Sequence, residues 1–507
     1  MTILRDLIEG LDKPVISGGL DVEVAGLAYD SRLVKPGFVF FALRGVKSDG
    51  HDFIPKALAE GAVAIVAETA PPEDCSVTWL HVKNARVALA EMAAAYKGHP
   101  ARSMAVGGVT GTNGKTTTAF LLHHLLNHAH RRCGLLGTVV YDVGGDLKPA
   151  THTTPESLEL QGLLSEMRDR GCVAVAMEVS SHAIDQHRTH GVPFAAAVFT
   201  NLSQDHLDYH GTMEEYFKAK SKLFSSTAAS RSGKLVINVD DIWGRRLVDA
   251  HKEHPGLVTY GLGVAADYRA VNPRYDLTGT SFELEHKGRS LLVRIPQIGQ
   301  FNVYNSLAAL AAAHGMGCNL RDTVKAMQSS PQIPGRMERV TPDNHSFHVF
   351  VDYAHTPDGL VNALSTARAL RPERIITVFG CGGDRDRLKR PLMARAVEEH
   401  SDISILTSDN PRTEDPQAIM DDARKGFTRS AHALIADRKE AIHTAIKGAR
   451  EGDIVVIAGK GHEPYQDVQG VKHPFDDRRV ARQLVDIEIR IKGEKRLEAR
   501  QRRDDRQ

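Results

Sequence analysis

The chain has few cysteines, almost no net charge and no long hydrophobic run. Its 507 residues include five cysteines and two tryptophans, and no two cysteines form a CxxC pair. Scattered cysteines are typical of small buried side chains in a reducing compartment, so we expect neither disulfides nor a zinc site. No stretch reaches the ~18 apolar residues of a membrane helix, and Arg5, Asp6 and Glu9 interrupt the run that a signal peptide needs. These absences predict a cytoplasmic protein without membrane insertion.

The charges are balanced. Lysine and arginine total 64 and aspartate and glutamate total 63, giving a formal net charge of +1. No global field therefore attracts nucleic acid or an anionic membrane, and we expect neither as a partner. Hydrophobic residues make up 42% of the chain, enough for several cores. At about 150 residues per domain, the length predicts about three domains.

Apolar runs and helical stretches alternate through most of the chain. Val173–Met177 and Ala195–Thr200 are continuous apolar runs, typical of parallel strands covered on both faces. Between about 250 and 300 the pattern changes to the alternation of exposed strands, in Ser281–Glu285 and Ser290–Ile295. A second block of predicted strands follows, at Val349–Tyr353, Ile375–Phe379, Ile403–Thr407 and Ile454–Ala458. The pattern predicts an α/β protein.

A glycine-rich turn joins the apolar strand Met104–Val109 to the predicted helix Thr116–His128. The turn and the start of the helix read Gly111, Thr112, Asn113, Gly114, Lys115, Thr116 and Thr117. Glycines let backbone N–H groups approach phosphates, and a helix N-terminus adds positive potential. We expect Lys115 on the terminal phosphates of a nucleotide and the Thr116 hydroxyl on Mg²⁺.

This loop is shorter than the strict P-loop, because Val109 occupies the position of its first glycine. The GxxGKT variant disfavours ordinary P-loop motors and GTPases. The alternative is a glycine turn that only caps a helix, but the lysine and threonine after Gly114 and the strand before it favour the phosphate site.

The loop is the first of a series of motifs in which the chain resembles the Mur ligases of bacterial cell-wall synthesis. The others, in family order, are Glu178–His182, Gln186–Arg188, Asn201–His206, Gly299–Asn305, Pro334–Glu338, Asp352–Asp358, Gly382–Arg385, Asp409–Arg412 and Gly459–Glu463. The resemblance runs from about residue 25 to 480, and ordered agreement over this length is more specific than any single motif.

The resemblance implies three α/β domains. They are a UDP-sugar-binding domain at 1–100, a central P-loop-type parallel-sheet ATPase domain at 101–338 and a C-terminal Rossmann-like amino-acid-binding domain at 339–490. A charged tail at 491–507 follows, expected to be a solvated helix end or disordered. The implied activity is ATP-dependent ligation of meso-diaminopimelate to UDP-N-acetylmuramoyl-L-alanyl-D-glutamate through an acyl phosphate, by a monomer.

The resemblance also implies magnesium as a cofactor, held near the phosphates. Glu178 follows a predicted parallel strand at the end where such sheets place ligands, so we expect it to bind the metal beside Thr116. His206 is implied as a further ligand, although a lone histidine is more often structural.

Lys220 is implied to be carbamylated by CO₂, which would turn an ammonium into an anion that supports magnesium. The family pattern places this lysine four residues after a tyrosine, here Tyr216. From sequence alone Lys218, Lys220 and Lys222 fit a solvated basic helix face. With Lys115, Glu178 and His206, Lys220 completes the expected catalytic set.

The remaining expected contacts come from the resemblance. ATP would also contact Asn305 (adenine), Arg336 (phosphates) and Asp352 (ribose), each of which could instead be structural. The UDP-dipeptide would contact Ser31, His152, Thr153, Thr154, Ser180, Gln186 and Arg188. His152 stands where relatives often have asparagine. Diaminopimelate would contact Arg385, Asp409, Asn410, Pro411, Arg412, Gly459 and Glu463.

Asp409–Arg412 is the expected determinant of the amino acid. The planar fork of Arg412 suits the second carboxylate of diaminopimelate, which lysine lacks, and Asn410 can add a hydrogen bond. The alternatives are a simple turn and a lysine-adding Mur ligase.

Two further alternatives concern the whole chain. Folylpolyglutamate synthases share the fold and the loop, but they have no reason to carry Asp409–Arg412 or an N-terminal UDP domain. A non-catalytic nucleotide-binding protein on this scaffold is disfavoured by the intact catalytic set.

Overall fold

The computed structural model describes residues 2–45, 48–263, 265–342, 345–429 and 432–504, and for 491–504 it describes the backbone only. Three large sheets follow one another along this part of the chain, and two two-stranded sheets accompany them. Within it, none of the helices combines the length and apolar character needed to span a membrane.

The first sheet has five strands. Their spatial order is Val15–Ser17, Thr78–His81, Ala64–Ala67, Phe38–Phe41 and Gly26–Ala28, parallel except for the first pair. The accompanying helices are Leu4–Leu7, Ser31–Leu33, Gly50–Phe53, Ile54–Ala59 and Ala85–Tyr96, and Thr2–Ile3 pairs with Glu23–Val24. Helix Ala85–Tyr96 begins where the Asn84 side chain accepts hydrogen bonds from two backbone N–H groups. Its alanine-rich face packs against the sheet because small side chains allow close approach.

The second sheet has eleven strands. Their spatial order is Leu147–Pro149, Val140–Asp142, Cys133–Leu136, Ala174–Glu178, Ala105–Thr110, Phe194–Phe199, Lys234–Asn238, Leu257–Gly261, Tyr268–Asp276, Gly279–His286 and Arg289–Ile295. The seven strands from Cys133–Leu136 to Tyr268–Asp276 are parallel, and both edges are antiparallel. The helices are Pro100–Ser103, Lys115–His128, Ser157–Asp169, Ser181–Asp185, Leu207–His210, Met213–Ala228, Ile242–Ala250, Gln300–Gly315, Leu320–Ala326 and Met327–Ser329.

The third sheet has six strands. Their spatial order is Glu338–Arg339, His348–Asp352, Ile454–Ala458, Ile375–Cys381, Ile403–Ser408 and His432–Leu434, parallel except for the first. Its helices are Pro357–Ala369, Lys389–His400, Pro416–Arg424, Arg438–Gly448 and Asp477–Asp504. Tyr465–Val468 and Val471–Pro474 form a separate two-stranded hairpin. Strand Glu338–Arg339 straddles the predicted domain boundary at 338/339.

The predicted charged tail continues the last helix, whose backbone is helical through Asp504. The start of this helix is anchored, since Ala481, Leu484 and Val485 are buried against the third sheet. The backbone thus agrees with the first of the two predicted states, a helix end. The side chains beyond residue 490 and residues 505–507 lie outside the described part.

Candidate active site

The phosphate loop forms where strand Ala105–Thr110 ends and helix Lys115–His128 begins. Gly111 and Gly114 have φ of +145° and +86°. A Cβ at Gly111 would collide with the Thr200 hydroxyl, and one at Gly114 with the Asn305 side chain. Glycine is therefore required at both positions, by the positive φ and by side chains that approach from distant parts of the sequence.

Lys115 and Thr116 start the helix and turn towards different partners. The Lys115 ammonium donates to the carbonyls of Gly111 at 2.9 Å and Thr112 at 2.8 Å, and burial lowers its pKa. The Thr116 hydroxyl donates to Glu178 at 3.0 Å and accepts from the Arg336 guanidinium at 3.1 Å. A lysine, an arginine, a hydroxyl and a carboxylate therefore meet at one helix N-terminus.

Glu178 is the last residue of its strand, whereas the sequence predicted that it would follow the strand. It is only 1% exposed. Its carboxylate accepts hydrogen bonds from the Thr138 N–H at 2.8 Å and hydroxyl at 3.1 Å, besides the one from Thr116. Hydroxyl and carboxylate oxygens are the ligands that Mg²⁺ prefers, so Thr116 and Glu178 fit a magnesium site.

His206 lies elsewhere in the cleft. Its ring is 3.4 Å from the Asp205 carboxylate, and its centroid is 4.9 Å from that of His182. Burial lowers the pKa of His206 to about 4, which keeps the imidazole neutral. Among the described residues no three His, Cys, Asp or Glu side chains form a group that could hold a metal ion.

Lys220 is 1% exposed and does not belong to a solvated basic face. Its ammonium donates to the Gly111 carbonyl at 2.9 Å and lies 4.6 Å from the Tyr216 ring centroid. Burial lowers its pKa well below the usual value. Lys218 and Lys222 are exposed and pair with Glu215 and Asp185. The basic-face alternative holds for the two neighbours and is wrong for Lys220.

A cavity of about 590 Å³ opens beside the phosphate loop and is lined by residues from the domains of the second and third sheets, including Asn305, Arg336 and Asp352. Arg336 lies 4.6 Å from the Tyr353 ring centroid, and its Nε is buried with no hydrogen-bond partner in the described chain. An unpaired guanidinium N–H beside this cavity fits an anionic ligand such as a phosphate.

Asn305 and Asp352 line this cavity, but protein groups occupy their polar atoms. The Asn305 amide donates to Asn302 at 3.1 Å and accepts from Thr118 at 3.3 Å. The Asp352 carboxylate accepts from the N–H groups of Met337 at 2.7 Å and Ala354 at 2.8 Å, while burial raises its pKa. Both residues therefore have the structural role that the sequence analysis left open, because they hydrogen-bond other parts of the protein.

Most residues expected to bind the dipeptide cluster behind Glu178. The Thr154 hydroxyl donates to the Glu178 carbonyl at 2.8 Å and accepts from the Ser180 N–H at 3.1 Å. The Arg188 guanidinium donates to the Thr154 carbonyl at 3.0 Å and to Gln186 at 2.8 Å, and it pairs with Glu156 at 2.8 Å.

Three further residues belong to the expected dipeptide set, two of them next to Thr154 in the chain and one in the first sheet's domain. The Thr153 hydroxyl accepts from Thr138 at 3.2 Å, and the His152 side chain is exposed. Ser31 is buried in a short helix of the first sheet's domain, where the Asp30 carboxylate caps the turn.

A second cavity, of about 570 Å³, collects the residues expected to bind the amino acid. Its lining includes Arg385, Asp409, Asn410, Arg412, Gly459 and Glu463 from the third sheet's domain, and Thr153 and His206 from the second. Pro411 is the one member of the predicted set outside this lining. Residues more than 200 positions apart thus face a common space.

Backbone contacts hold Arg412 in a left-handed conformation, with φ of +52°. Its N–H donates to the Asp467 carbonyl at 3.0 Å, and its carbonyl accepts from the Gln469 N–H at 2.7 Å. Its guanidinium donates to the Gly383 carbonyl at 2.6 Å. The hairpin at 465–474 therefore sets where this arginine points, a role that the sequence analysis missed because the hairpin was not predicted.

Sequence analysis also missed three fully buried cations around this cavity: Arg390, Arg438 and Lys460. Arg438 pairs with buried Asp477 at 2.7 Å and lies 3.9 Å from Asp409, while Arg390 pairs with Glu414 at 2.7 Å. Lys460 is the only one inside a recognised motif, and that position was the signal that could have identified it.

Comparison with known proteins agrees with this geometry, and the chain belongs to the Mur ligase family. Three family models match it in order: "Mur ligase family, catalytic domain" at 23–97, "Mur ligase middle domain" at 109–313 and "Mur ligase, glutamate ligase domain" at 335–461. The family consists of ATP-dependent ligases that form peptide bonds.

Individual relatives show which Mur ligases the chain is similar to. The chain is 46% identical over 478 residues to the UDP-N-acetylmuramoyl-L-alanyl-D-glutamate–2,6-diaminopimelate ligase of Solibacter usitatus, covering 94% of this chain and 96% of the relative. It is 44% identical to the enzyme of that name from Syntrophomonas wolfei, over 95% and 99% of the two chains. A solved structure of a ligase with this name is 36% identical, with a TM-score of 0.68 over 96% and 99%.

Proposed function

We propose that this chain is the ATP-dependent ligase that joins meso-diaminopimelate to UDP-N-acetylmuramoyl-L-alanyl-D-glutamate in peptidoglycan precursor synthesis. The observation that carries the proposal is the second cavity. Its lining includes six residues that we assign to diaminopimelate, together with Thr153 and His206 of the second sheet's domain. The name shared by relatives that match nearly the whole chain supports it.

The chemistry has two steps. The glutamate carboxylate of the dipeptide attacks the γ-phosphorus of ATP, giving an acyl phosphate and releasing ADP. The amine of diaminopimelate then attacks the acyl carbon, loses a proton and releases inorganic phosphate as the amide forms. Because carboxylate and triphosphate repel each other, the first step requires cations, and we assign Lys115 and Arg336 to the phosphates.

Thr116 and Glu178 would hold magnesium, with His206 as a proposed further ligand. When bound, the ion neutralises charge on the phosphate oxygens. Lys220 has the environment of a carbamylation site, because its lowered pKa favours the neutral amine that adds to CO₂ with loss of one proton. The carbamate would place an anion beside the phosphate loop, where it can support the metal.

For the dipeptide, Thr153, Thr154, Ser180, Gln186 and Arg188 are assigned to the peptide end. Ser31 is assigned to the uridine end, and His152 keeps an exposed position beside the peptide. Arg188 already pairs with Glu156, so its grip on a substrate carboxylate would compete with that pair.

For the amino acid, Arg412 and Arg385 are assigned to the distal carboxylate of diaminopimelate and Glu463 to its distal ammonium. The distal carboxylate is present only in diaminopimelate, whereas the distal ammonium is shared with lysine. A guanidinium matches a carboxylate in two parallel hydrogen bonds, and a carboxylate pairs with an ammonium.

The domains 1–100, 101–338 and 339–490 are proposed to bind the UDP-sugar, ATP and the amino acid, respectively. Since Glu338–Arg339 pairs within the third sheet, we propose that the last boundary lies just before Glu338.

The deciding experiment is phosphate release from ATP in the presence of the UDP-dipeptide and one amino acid at a time. Release with meso-diaminopimelate, together with the expected amide product, supports the proposal. Comparable kcat/KM with L-lysine would favour the lysine-adding alternative. Release with a folate and glutamate instead would favour a folylpolyglutamate synthase, and no release with any set would favour a binding protein.

A further inference from the structure

Lys460 has no solvent-exposed side-chain surface and contacts Asn410 and Glu463, two residues that line the amino-acid cavity. It follows strand Ile454–Ala458 and precedes the cavity residue Glu463 by three positions. Its ammonium donates to the Asn410 side-chain oxygen at 2.8 Å and to Glu463 Oε2 at 3.2 Å. A buried charge is costly unless it is paired, and these two contacts pair it. We therefore ask what the contacts do to Asn410 and Glu463.

The first effect of Lys460 is to fix the orientation of the Asn410 amide. An ammonium is only a donor, so the atom facing Lys460 must be the oxygen. The Asp467 N–H donates to the same oxygen at 2.9 Å. The amide nitrogen is therefore turned towards Glu463, to which it donates at 2.8 Å.

The second effect concerns Glu463, whose two oxygens become different. Oε2 receives both Lys460 and the Asn410 amide. Oε1 has one long contact, with the Tyr353 hydroxyl at 3.5 Å. The carboxylate is thus held by one oxygen, and the other retains its capacity to accept a hydrogen bond from a ligand in the cavity.

We infer that Lys460 is a positioning residue for amino-acid selectivity: through Asn410 and Glu463 Oε2 it directs Glu463 Oε1 at the distal ammonium of the incoming amino acid. This inference rests on the proposed function, because it takes diaminopimelate as the ligand. Lys460 does not itself contact the substrate.

The test compares Lys460→Met with wild type on two amino acids. One is meso-diaminopimelate, and the other is 2-aminopimelate, which keeps the attacking amine and the distal carboxylate but lacks the distal ammonium. The matched control is Lys472→Met, since Lys472 contacts the same Tyr465 ring as Lys460 but is exposed on the hairpin.

We expect Lys460→Met to lower kcat/KM for diaminopimelate about 30-fold or more, mainly through KM, as for other truncations in a buried charge pair. KM for ATP and kcat/KM for 2-aminopimelate should change by no more than a few-fold, and Lys472→Met should match wild type. Glu463→Gln should impose a similar loss on diaminopimelate, and the double variant should lose less than the product of the two single losses.

Three results would overturn the inference. Equal losses for both amino acids would show that Lys460 only stabilises the fold. A lower KM for diaminopimelate would show that Lys460 merely offsets the Glu463 charge. An unchanged KM for diaminopimelate in Lys460→Met would show that Lys460 has no role in binding this amino acid. If Lys460→Met does not fold, Lys460→Gln, which keeps an N–H donor, is judged by the same comparison. Absence of wild-type turnover with diaminopimelate would instead contradict the proposed function, and the inference with it.

Discussion

At the scale of single residues, Lys115 has the most direct consequence for catalysis. Its ammonium donates to two carbonyls of the phosphate loop. We expect Lys115→Ala to slow ligation, because the charge on the phosphates would go uncompensated. The loss of transition-state stabilisation should be ~3 kcal/mol or more. Alanine is a good helix former, so the melting temperature should change little. Near-normal turnover in a steady-state assay would contradict the assignment.

Lys220 offers a prediction with an internal control. We expect intact-protein mass spectrometry in CO₂-replete buffer to detect a carbamate on Lys220, and Lys220→Ala to be nearly inactive. Short carboxylic acids should restore part of the activity by supplying the missing anion. Lys218→Ala, on the exposed side of the same helix, should behave as wild type. An unmodified Lys220 in a fully active preparation would refute the carbamate.

Arg412 decides the expected amino-acid preference. We expect the wild type to favour meso-diaminopimelate over L-lysine by ~10⁴-fold in kcat/KM, because lysine would leave a polar site without its partner. Arg412→Ala and Arg412→Lys should erode this ratio mainly by weakening diaminopimelate, since neither retains the planar fork. Competition assays with both amino acids measure the ratio. If a variant kept the wild-type ratio of kcat/KM values, residues other than Arg412 would determine the selectivity.

Residue-level reasoning from sequence predicted the strand, glycine turn and helix of the phosphate loop. The local sequence was enough there, because it has glycine at 111 and 114, the two loop positions with positive φ. It was incomplete for Asn305 and Asp352, whose polar atoms are engaged by distant or backbone groups. Helical spacing could not separate Lys220 from its neighbours, because burial depends on what packs against the helix.

At the scale of elements, the hairpin formed by Tyr465–Val468 and Val471–Pro474 connects folding to selectivity. Its turn residues Gln469 and Gly470 have φ of +52° and +78°, and the Gln469 N–H holds the Arg412 carbonyl. Turns with positive φ at both central positions favour glycine. The hairpin thus supports Arg412 through backbone geometry that side-chain patterns do not reveal.

Gly470→Ala tests this link. A Cβ at Gly470 meets no atom within 4 Å, so the change adds only the strain of a left-handed alanine, ~1 kcal/mol. We expect KM for diaminopimelate to rise several-fold while KM for ATP stays constant. Gly448→Ala is the control, because that position is equally open but has no positive φ. If Gly470→Ala and Gly448→Ala had identical kinetics with the amino acid, the hairpin would have no effect on selectivity.

Elements with one dominant signal were predicted to within a residue or two. The apolar strands of the second and third sheets are examples, since burial on both faces requires continuous runs. The hairpin at 465–474 was not predicted: its strands are partly or fully exposed, and its short polar sequence carries no such pattern. The strand Glu338–Arg339 was missed because two residues give no periodicity.

At the scale of the whole molecule, many histidines enter the folded state uncharged. Burial lowers the pKa of nine described histidines: His124, His182, His187, His206, His210, His251, His314, His355 and His462. Their ordinary pKa in an unfolded chain is about 6.5. Below that pH the unfolded chain binds protons that the folded chain refuses, so stability falls with falling pH.

His462 makes this testable at one position. Burial lowers the pKa of His462 to about 3; Arg336 and Arg478 add to the shift, while the Thr138 backbone and Asp476 oppose it. The folded imidazole therefore stays neutral between pH 6.5 and 5, where the unfolded one becomes protonated. Over that window His462 should remove up to about 2 kcal/mol of stability. We expect the melting temperature of wild type to fall between pH 7 and 5, and that of His462→Gln to fall less from its own value at pH 7. The same pH dependence in both proteins would show that His462 is protonated without cost in the folded state.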